Sequence, residues 1–423
     1  MENRVVITGL GVVAPNGVGL EAFEHAIKAG TSGIEYYPAL KELGFSCCIG
    51  GIPDVSEALK REYLTDLQLR NFNSSGILYG CIAGIDAWKN AGLSIPEETD
   101  YESGTIFGAG TSGVDKFREA IYKLDDKKVK RLGSTVVAQT MASGVSAYLG
   151  GILGLGNQVT TNSSACTTGT EAVLMGYEKI KAGRAKRMLV GSCSDHGPYV
   201  WGGFDAMRVL TYKHNETPEQ GSRPMSASAS GFVPGSGAGA MVLESLESAL
   251  ERKALIYAEL LGGEINSGGQ RKEGSMTAPN SEAVIRCIQK AVQNAGIQSR
   301  DIDAINGHLT ATVKDFTEIE NWSKALDLAG DKFPYINSLK SMTGHCLAAS
   351  GSIESVASVL QVKNKFIFPN INSEDLNEQI TTLISPHRIP QKLIKKNIKI
   401  LAKASFGFGD VNACFILKKY ENI

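Results

Sequence analysis

Apolar residues along this chain fall into short β-branched runs that end in glycine. Each run is followed by a stretch in which apolar residues recur with helical spacing. "RVVITGLG", "GTIFGAGTSG", "RMLVGSCSD" and "GAGAMVLES" are of the first kind; "GLEAFEHAIKAG" and "NSSGILYGCIAGIDAWKNAG" are of the second. Alternation of this sort predicts strands and helices in turn, and hence a layered α/β fold. The same grammar resumes further on: "SEAVIRCIQKAVQNAG" reads as a helix, "IDAINGH" as a strand ending on a histidine, and "IKILAKASFGFGDVNACFILKKY" as two strands around a glycine-rich turn. Two similar halves are expected, residues 1–255 and 256–423, sharing one interface because no low-complexity linker separates them. No repeat of residues announces a duplication.

Composition narrows the partners. With 423 residues and 43% of them apolar, a substantial core can form. The 43 basic and 44 acidic side chains nearly cancel, so no overall field draws the chain to nucleic acid or to a membrane surface. No stretch has the roughly 20 consecutive apolar residues of a membrane span, and the apolar N-terminal run reads as a first strand rather than a signal peptide. The eight cysteines include no CxxC pair, which argues against a zinc site or a disulfide scaffold and makes a reducing cytoplasm the expected location.

One of those cysteines stands apart. "NSSACTTGTEAV" puts Cys166 among small residues at a turn between a β-branched run and a helix that stops at Gly183. The positive end of that helix favours thiolate over thiol, although most buried cysteines are simply small hydrophobes. Three further motifs lie at predicted strand ends: "NGHLTAT" with His308, "LKSMTGH" with Lys340 and His345, and "SFGFGDVN" with Phe408. One thiol and two imidazoles without short ligand spacing make a poor metal site. They suit acyl transfer, in which a thiolate takes an acyl group, imidazoles polarise a second thioester, and backbone amides hold an oxyanion.

These motifs, together with "RVVITGLGVVAPNG", "GSRPMSASASGFVPGSGAGAMVLES" and "KSMTGHCLAASG", occur in the order found in the β-ketoacyl-[acyl carrier protein] synthases, which the chain resembles over nearly its whole length. The resemblance is to the type II branch of these condensing enzymes. It implies a thiolase-like fold of two pseudo-symmetric α/β halves in αβαβα layers. Cys166 is then the acyl-accepting nucleophile, and its amide and that of Phe408 form the oxyanion hole. His308 and His345 bind the malonyl thioester carbonyl, and Lys340 organises the second histidine's surroundings with Glu318 and Asp315 as its acidic partners. Thr310, Thr312 and Thr277 are expected along the pantetheine arm, Phe204 and Thr111 along the acyl channel, and Phe408 as its gate. No cofactor is implied beyond the phosphopantetheine of an acyl carrier protein.

The carrier is acidic in this family, so Lys127, Lys128, Lys130, Arg131, Arg208 and Arg70 are candidates to dock it, while Asp66 and Leu69 stand where the family often has basic residues. The chain is expected to pair with itself or with a homologous chain-length partner. It also departs from the family pattern. Leu309 replaces a glycine after the first histidine, Asp315 comes one residue early, and Asp410 replaces the second glycine of the gate turn. These departures surround the substrate tunnel and suggest a specialised synthase of fatty-acid, polyketide or aryl-polyene type. A non-catalytic partner subunit is disfavoured because the cysteine and both histidines are present.

Overall fold

Every residue of the first apolar run, Val5–Ala14, is buried, because helices cover this strand on both faces. The computed structural model, which describes residues 3–421, places the run at the centre of an eleven-stranded sheet. Numbering only the elements that the two halves share, the first half runs β1 (Val5–Ala14), α1 (Ser75–Asn90), β2 (Ser103–Ala109), α2 (Gly144–Leu153), β3 (Val159–Thr160), α3 (Thr168–Lys181), β4 (Arg187–Ser194) and β5 (Gly237–Ser245). The second runs β6 (Ala258–Ser267), α4 (Ser281–Asn294), β7 (Ala304–Asn306), α5 (Asp315–Leu326), β8 (Tyr335–Asn337), α6 (Ser350–Asn364), β9 (Ile400–Gly407) and β10 (Val411–Lys419).

Strand pairing repeats as well. In each half the first strand pairs antiparallel with the last (β1 with β5, β6 with β10), and the last antiparallel with the one before it (β5 with β4, β10 with β9). That penultimate strand lies parallel to the second strand, which lies parallel to the third. The halves join where Val5, Val6 and Ile7 of β1 pair with Leu260, Glu259 and Ala258 of β6. The duplication is therefore one of topology, which the eye misses in the residues. Helices α1 and α2 cover one half's sheet, α4 with α5 packed beside it the other's, and α3 and α6 fill the layer between. Ser350–Val362 of α6 are buried without exception.

The two inner helices meet through glycine. A Cβ on Gly169 would fall 2.4 Å from the Ser352 amide nitrogen, and one on Gly351 2.7 Å from that of Thr170. Each helix is preceded by a tight turn opening on a left-handed residue, Ala165 (φ 51°) in one half and Leu347 (φ 52°) in the other. Cys166 thus occupies in the first half the place that Ala348 takes in the second. Among the described residues no helix is long and apolar enough to cross a membrane.

Candidate active site

Cys166 sits on the turn between β3 and α3, held by Asn162 and Ser164, whose side chains both donate to the Glu171 carboxylate. The end of β9 closes on it from the other half. A Cβ on Gly407 would lie 3.1 Å from the Cys166 amide nitrogen, tighter than an ordinary contact, so glycine eases the strand's close approach. Cys166 faces a cavity of about 330 Å³. The thiolate expected at a helix N-terminus is opposed by desolvation. Protein crowds the sulfur and pushes the thiol up to about 11; the Lys340 charge and the Phe408 and Cys166 amides pull the other way without prevailing.

His308 follows β7 and His345 follows the short helix Lys340–Thr343, and the topology brings their rings together at 5.4 Å, edge to face. The Cys166 sulfur and one nitrogen from each ring lie within 4.8 Å of one another, a cluster that could also hold a metal ion. His345 Nδ1 accepts from the Leu347 amide at 3.1 Å, and Ser350 Oγ lies 2.9 Å away. Both imidazoles are held well below their ordinary range, first by burial and then by the Lys340 and Lys403 charges, so both are neutral.

The lysine's partners differ from expectation. Lys340 pairs with Glu354 of α6, not with Glu318 or Asp315, and Lys403 of β9 pairs with the same carboxylate at 2.8 Å. All three side chains are fully buried. Glu318 instead accepts from the His308 and Leu309 amides, both at 2.7 Å, and burial raises it to about 7. Asp315 accepts from the amides of Thr310, Ala311, Thr312 and Met225, and burial raises it to about 6. Their role is to wind the shortened loop, in which Leu309 (φ 21°) and Ala311 (φ 62°) take left-handed conformations.

Phe204, Thr277, Thr310, Thr312 and Phe408 all line the cavity. The Phe204 ring centroid is 6.1 Å from that of Phe408, and the Thr310 and Thr312 hydroxyls are 3.1 Å apart. Thr111 does not join them. It is exposed after β2, outside the cavity, because the chain turns away there into the helix Val114–Asp125. Lys127, Lys128, Lys130, Arg131, Arg70 and Arg208 are exposed. Lys128 and Arg131 line a separate groove with Arg118 and Tyr122. At the cavity mouth the exposed cation is Lys314, which the sequence reading missed. It also missed Glu354 and Lys403, although a charge inside "SGSIESVASV" or "ILAKASF" was a signal for both.

Residues 2–249 match the N-terminal domain of the β-ketoacyl synthases and residues 257–374 their C-terminal domain. The 3-oxoacyl-[acyl-carrier-protein] synthase 1 of Haemophilus influenzae is 33% identical over 99% of both chains. That of Escherichia coli is 34% identical over 99% of this chain and 100% of its own. Among solved structures, the ishigamide ketosynthase/chain length factor superimposes with a TM-score of 0.88 at 26% identity, covering 100% of each chain. AntDE:AntF, a type II polyketide acyl-carrier protein in complex with its ketosynthase, superimposes with a TM-score of 0.87 at 29% identity, covering 99% of this chain and 100% of that one.

Proposed function

Because this chain belongs to the β-ketoacyl synthase family, it is a condensing acyltransferase, and we propose that Cys166, His308 and His345 carry its chemistry. The observation that supports this most is the convergence of one thiol and two neutral imidazoles within 4.8 Å, beside the Phe408 amide.

In the first half-reaction Cys166 Sγ attacks an acyl thioester borne on the phosphopantetheine of an acyl carrier protein. The oxyanion accepts from the Cys166 and Phe408 amides, and the thiol proton ends on the departing pantetheine. In the second, the carbonyl of a malonyl thioester accepts from the two imidazoles. Carbon dioxide leaves with its electron pair left behind as an enolate stabilised by those donors. The enolate carbon attacks the acyl-Cys166 carbonyl and expels the thiolate, which takes up a proton. The chain on the carrier is longer by two carbons. Thr310, Thr312 and Thr277 hold the pantetheine arm, Phe408 screens the acyl side, and Lys340 with Lys403 and Glu354 supplies a buried positive charge behind the histidines. No cofactor or resident metal takes part.

The partners are the carrier protein, met by Lys314 and the exposed basic residues, and a second synthase-like chain. Exposed Phe117, Ile121 and Leu124 form a stripe on the helix Val114–Asp125, with exposed Val129 and Val137 near it in sequence. A second, homologous chain would cover this stripe together with the sheet edge at β3. A reading as the catalytic subunit beside a chain-length partner is favoured by Leu309 and Asp410, which stand in the two loops that adjoin the cavity. The test is to mix the chain with acyl- and malonyl-carrier protein, alone and with a homologous partner, and weigh the carrier-bound product. A two-carbon ketide gain supports condensation, its dependence on the partner selects the second reading, and no gain in either mixture contradicts both.

A further inference from the structure

Between β6 and α4 the chain leaves both sheet and helix, and Glu273, Thr277, Ala278 and Pro279 of this excursion form one wall of the cavity. Both ends of the excursion are tied to one side chain. Asp410, in the turn that joins β9 to β10, is fully buried; its Oδ2 accepts from the Gln270 amide at 2.9 Å and its Oδ1 from the Asn280 amide at 2.8 Å. Two backbone bonds run alongside, from the Gly268 amide to the Asp410 carbonyl at 3.0 Å and from the Gly409 amide to the Met276 carbonyl at 2.8 Å. Glycine leaves room for the carboxylate: a Cβ on Gly268 or Gly274 would fall 2.2 or 2.5 Å from Asp410 Oδ2. Burying a carboxylate is costly unless charge-assisted bonds satisfy it, and here each oxygen has its donor.

We propose that Asp410 is a positioning residue that clasps the 268–280 segment to the gate turn, so that the Phe408 ring moves between anchored ends. This rests on the condensing reading of the site. Asp410 touches no substrate. It acts through Phe408, whose amide must be held at the acyl oxygen and whose ring must stand across the acyl side. With the clasp removed, the amide is less well placed and the ring screens less. Acylation then slows, and discrimination between short and long acyl chains weakens.

The experiment measures the rate of Cys166 acylation by short-chain and long-chain acyl-carrier protein, using time-resolved intact mass on the full chain. The variants are Asp410→Gly, Asp410→Asn, Gly268→Asp and the double change Gly268→Asp/Asp410→Gly. Loss of the clasp is expected to slow acylation about tenfold, less than outright removal of an oxyanion donor, and to move the long-to-short ratio toward one. Asparagine, with one oxygen, frees one end of the segment and gives the same change of ratio if the glycine variant does not fold. Gly268→Asp crowds two carboxylates into one space and slows the enzyme; the double variant returns a carboxylate to that space and recovers rate and ratio to within about threefold. A merely structural residue would lower both rates together, with no rescue. Unchanged rates and ratio in both Asp410 variants would overturn the clasp while wild-type acylation left the condensing reading intact. Wild type that never acylates would overturn that reading and the clasp with it.

Discussion

The backbone N–H of Leu347 donates to Nδ1 of His345 at 3.1 Å. An amide can only donate, so Nδ1 carries the lone pair, the ring proton sits on Nε2, and the Ser350 hydroxyl 2.9 Å away donates to the same Nδ1. His345 is thereby a hydrogen-bond donor toward the cavity rather than a base. The residue that fixes this tautomer belongs to the left-handed turn before α6, the counterpart of the turn that holds Cys166.

His345→Gln keeps an N–H near the Nε2 position, and His345→Ala keeps none. Decarboxylation of malonyl-carrier protein is expected to fall on the order of 10²–10³-fold in the alanine variant, the cost of one transition-state donor, and by about a tenth of that in the glutamine variant. Equal losses in both, measured as carbon dioxide release, would contradict the donor assignment.

Lys403→Met leaves Glu354 paired with Lys340 and takes one positive charge from behind the two histidines, which also face Lys340 and each other. Burial still depresses the imidazoles, but less charge assists it, so they titrate closer to 6.5, their ordinary value. The acid limb of the pH–rate profile is expected to move up in pH while the plateau near neutrality changes by less than about threefold, since the remaining carboxylate keeps its partner. An unmoved acid limb would contradict the charge argument.

Burial raises Glu318 from 4.5 to about 7. The fold therefore favours its protonated form, and the stability it contributes is full below 4.5, falls as pH rises through about 7, and is level above. Glu318→Gln removes that titration. The difference in urea midpoint, variant minus wild type, is expected to grow over this window and then stop; a flat difference would contradict it.

Cys166, His308 and His345 would suit a soft divalent ion as well as a thioester. The proposed chemistry needs none, so dialysis against a chelator is expected to leave condensation unchanged, and added zinc to inhibit it. Loss of activity on chelation, restored by metal, would contradict a metal-free mechanism.

Much of this was legible in the sequence because strands that end on glycine place their chemistry at strand ends. Cys166, His308, His345, Lys340 and Phe408 could each be named from a short motif. The duplication was legible as two halves of like grammar but not as a repeat of residues, since the features that recur are strand order and a left-handed turn before each inner helix, with Cys166 in one copy and Ala348 in the other. Lys340's partner was missed because Glu354 lies on a different element, α6, in a run of small residues whose burial only the fold reveals. Glu318 and Asp315, closer to the motif, serve backbone amides instead. Thr111 lies outside the cavity of this chain because its loop leads into the helix Val114–Asp125. The state of the Cys166 thiol was misjudged because desolvation, invisible in a motif, outweighs the helix end.

The central claim is that Cys166, alone among eight cysteines of which the other seven are buried, accepts the acyl group. The most direct test is peptide mapping by mass spectrometry after brief exposure of wild type and Cys166→Ala to acyl-carrier protein, with and without a homologous partner chain. The account predicts one thioester, on the peptide bearing Cys166, and none in the variant. An adduct on another cysteine, or an equal adduct in Cys166→Ala, would contradict it.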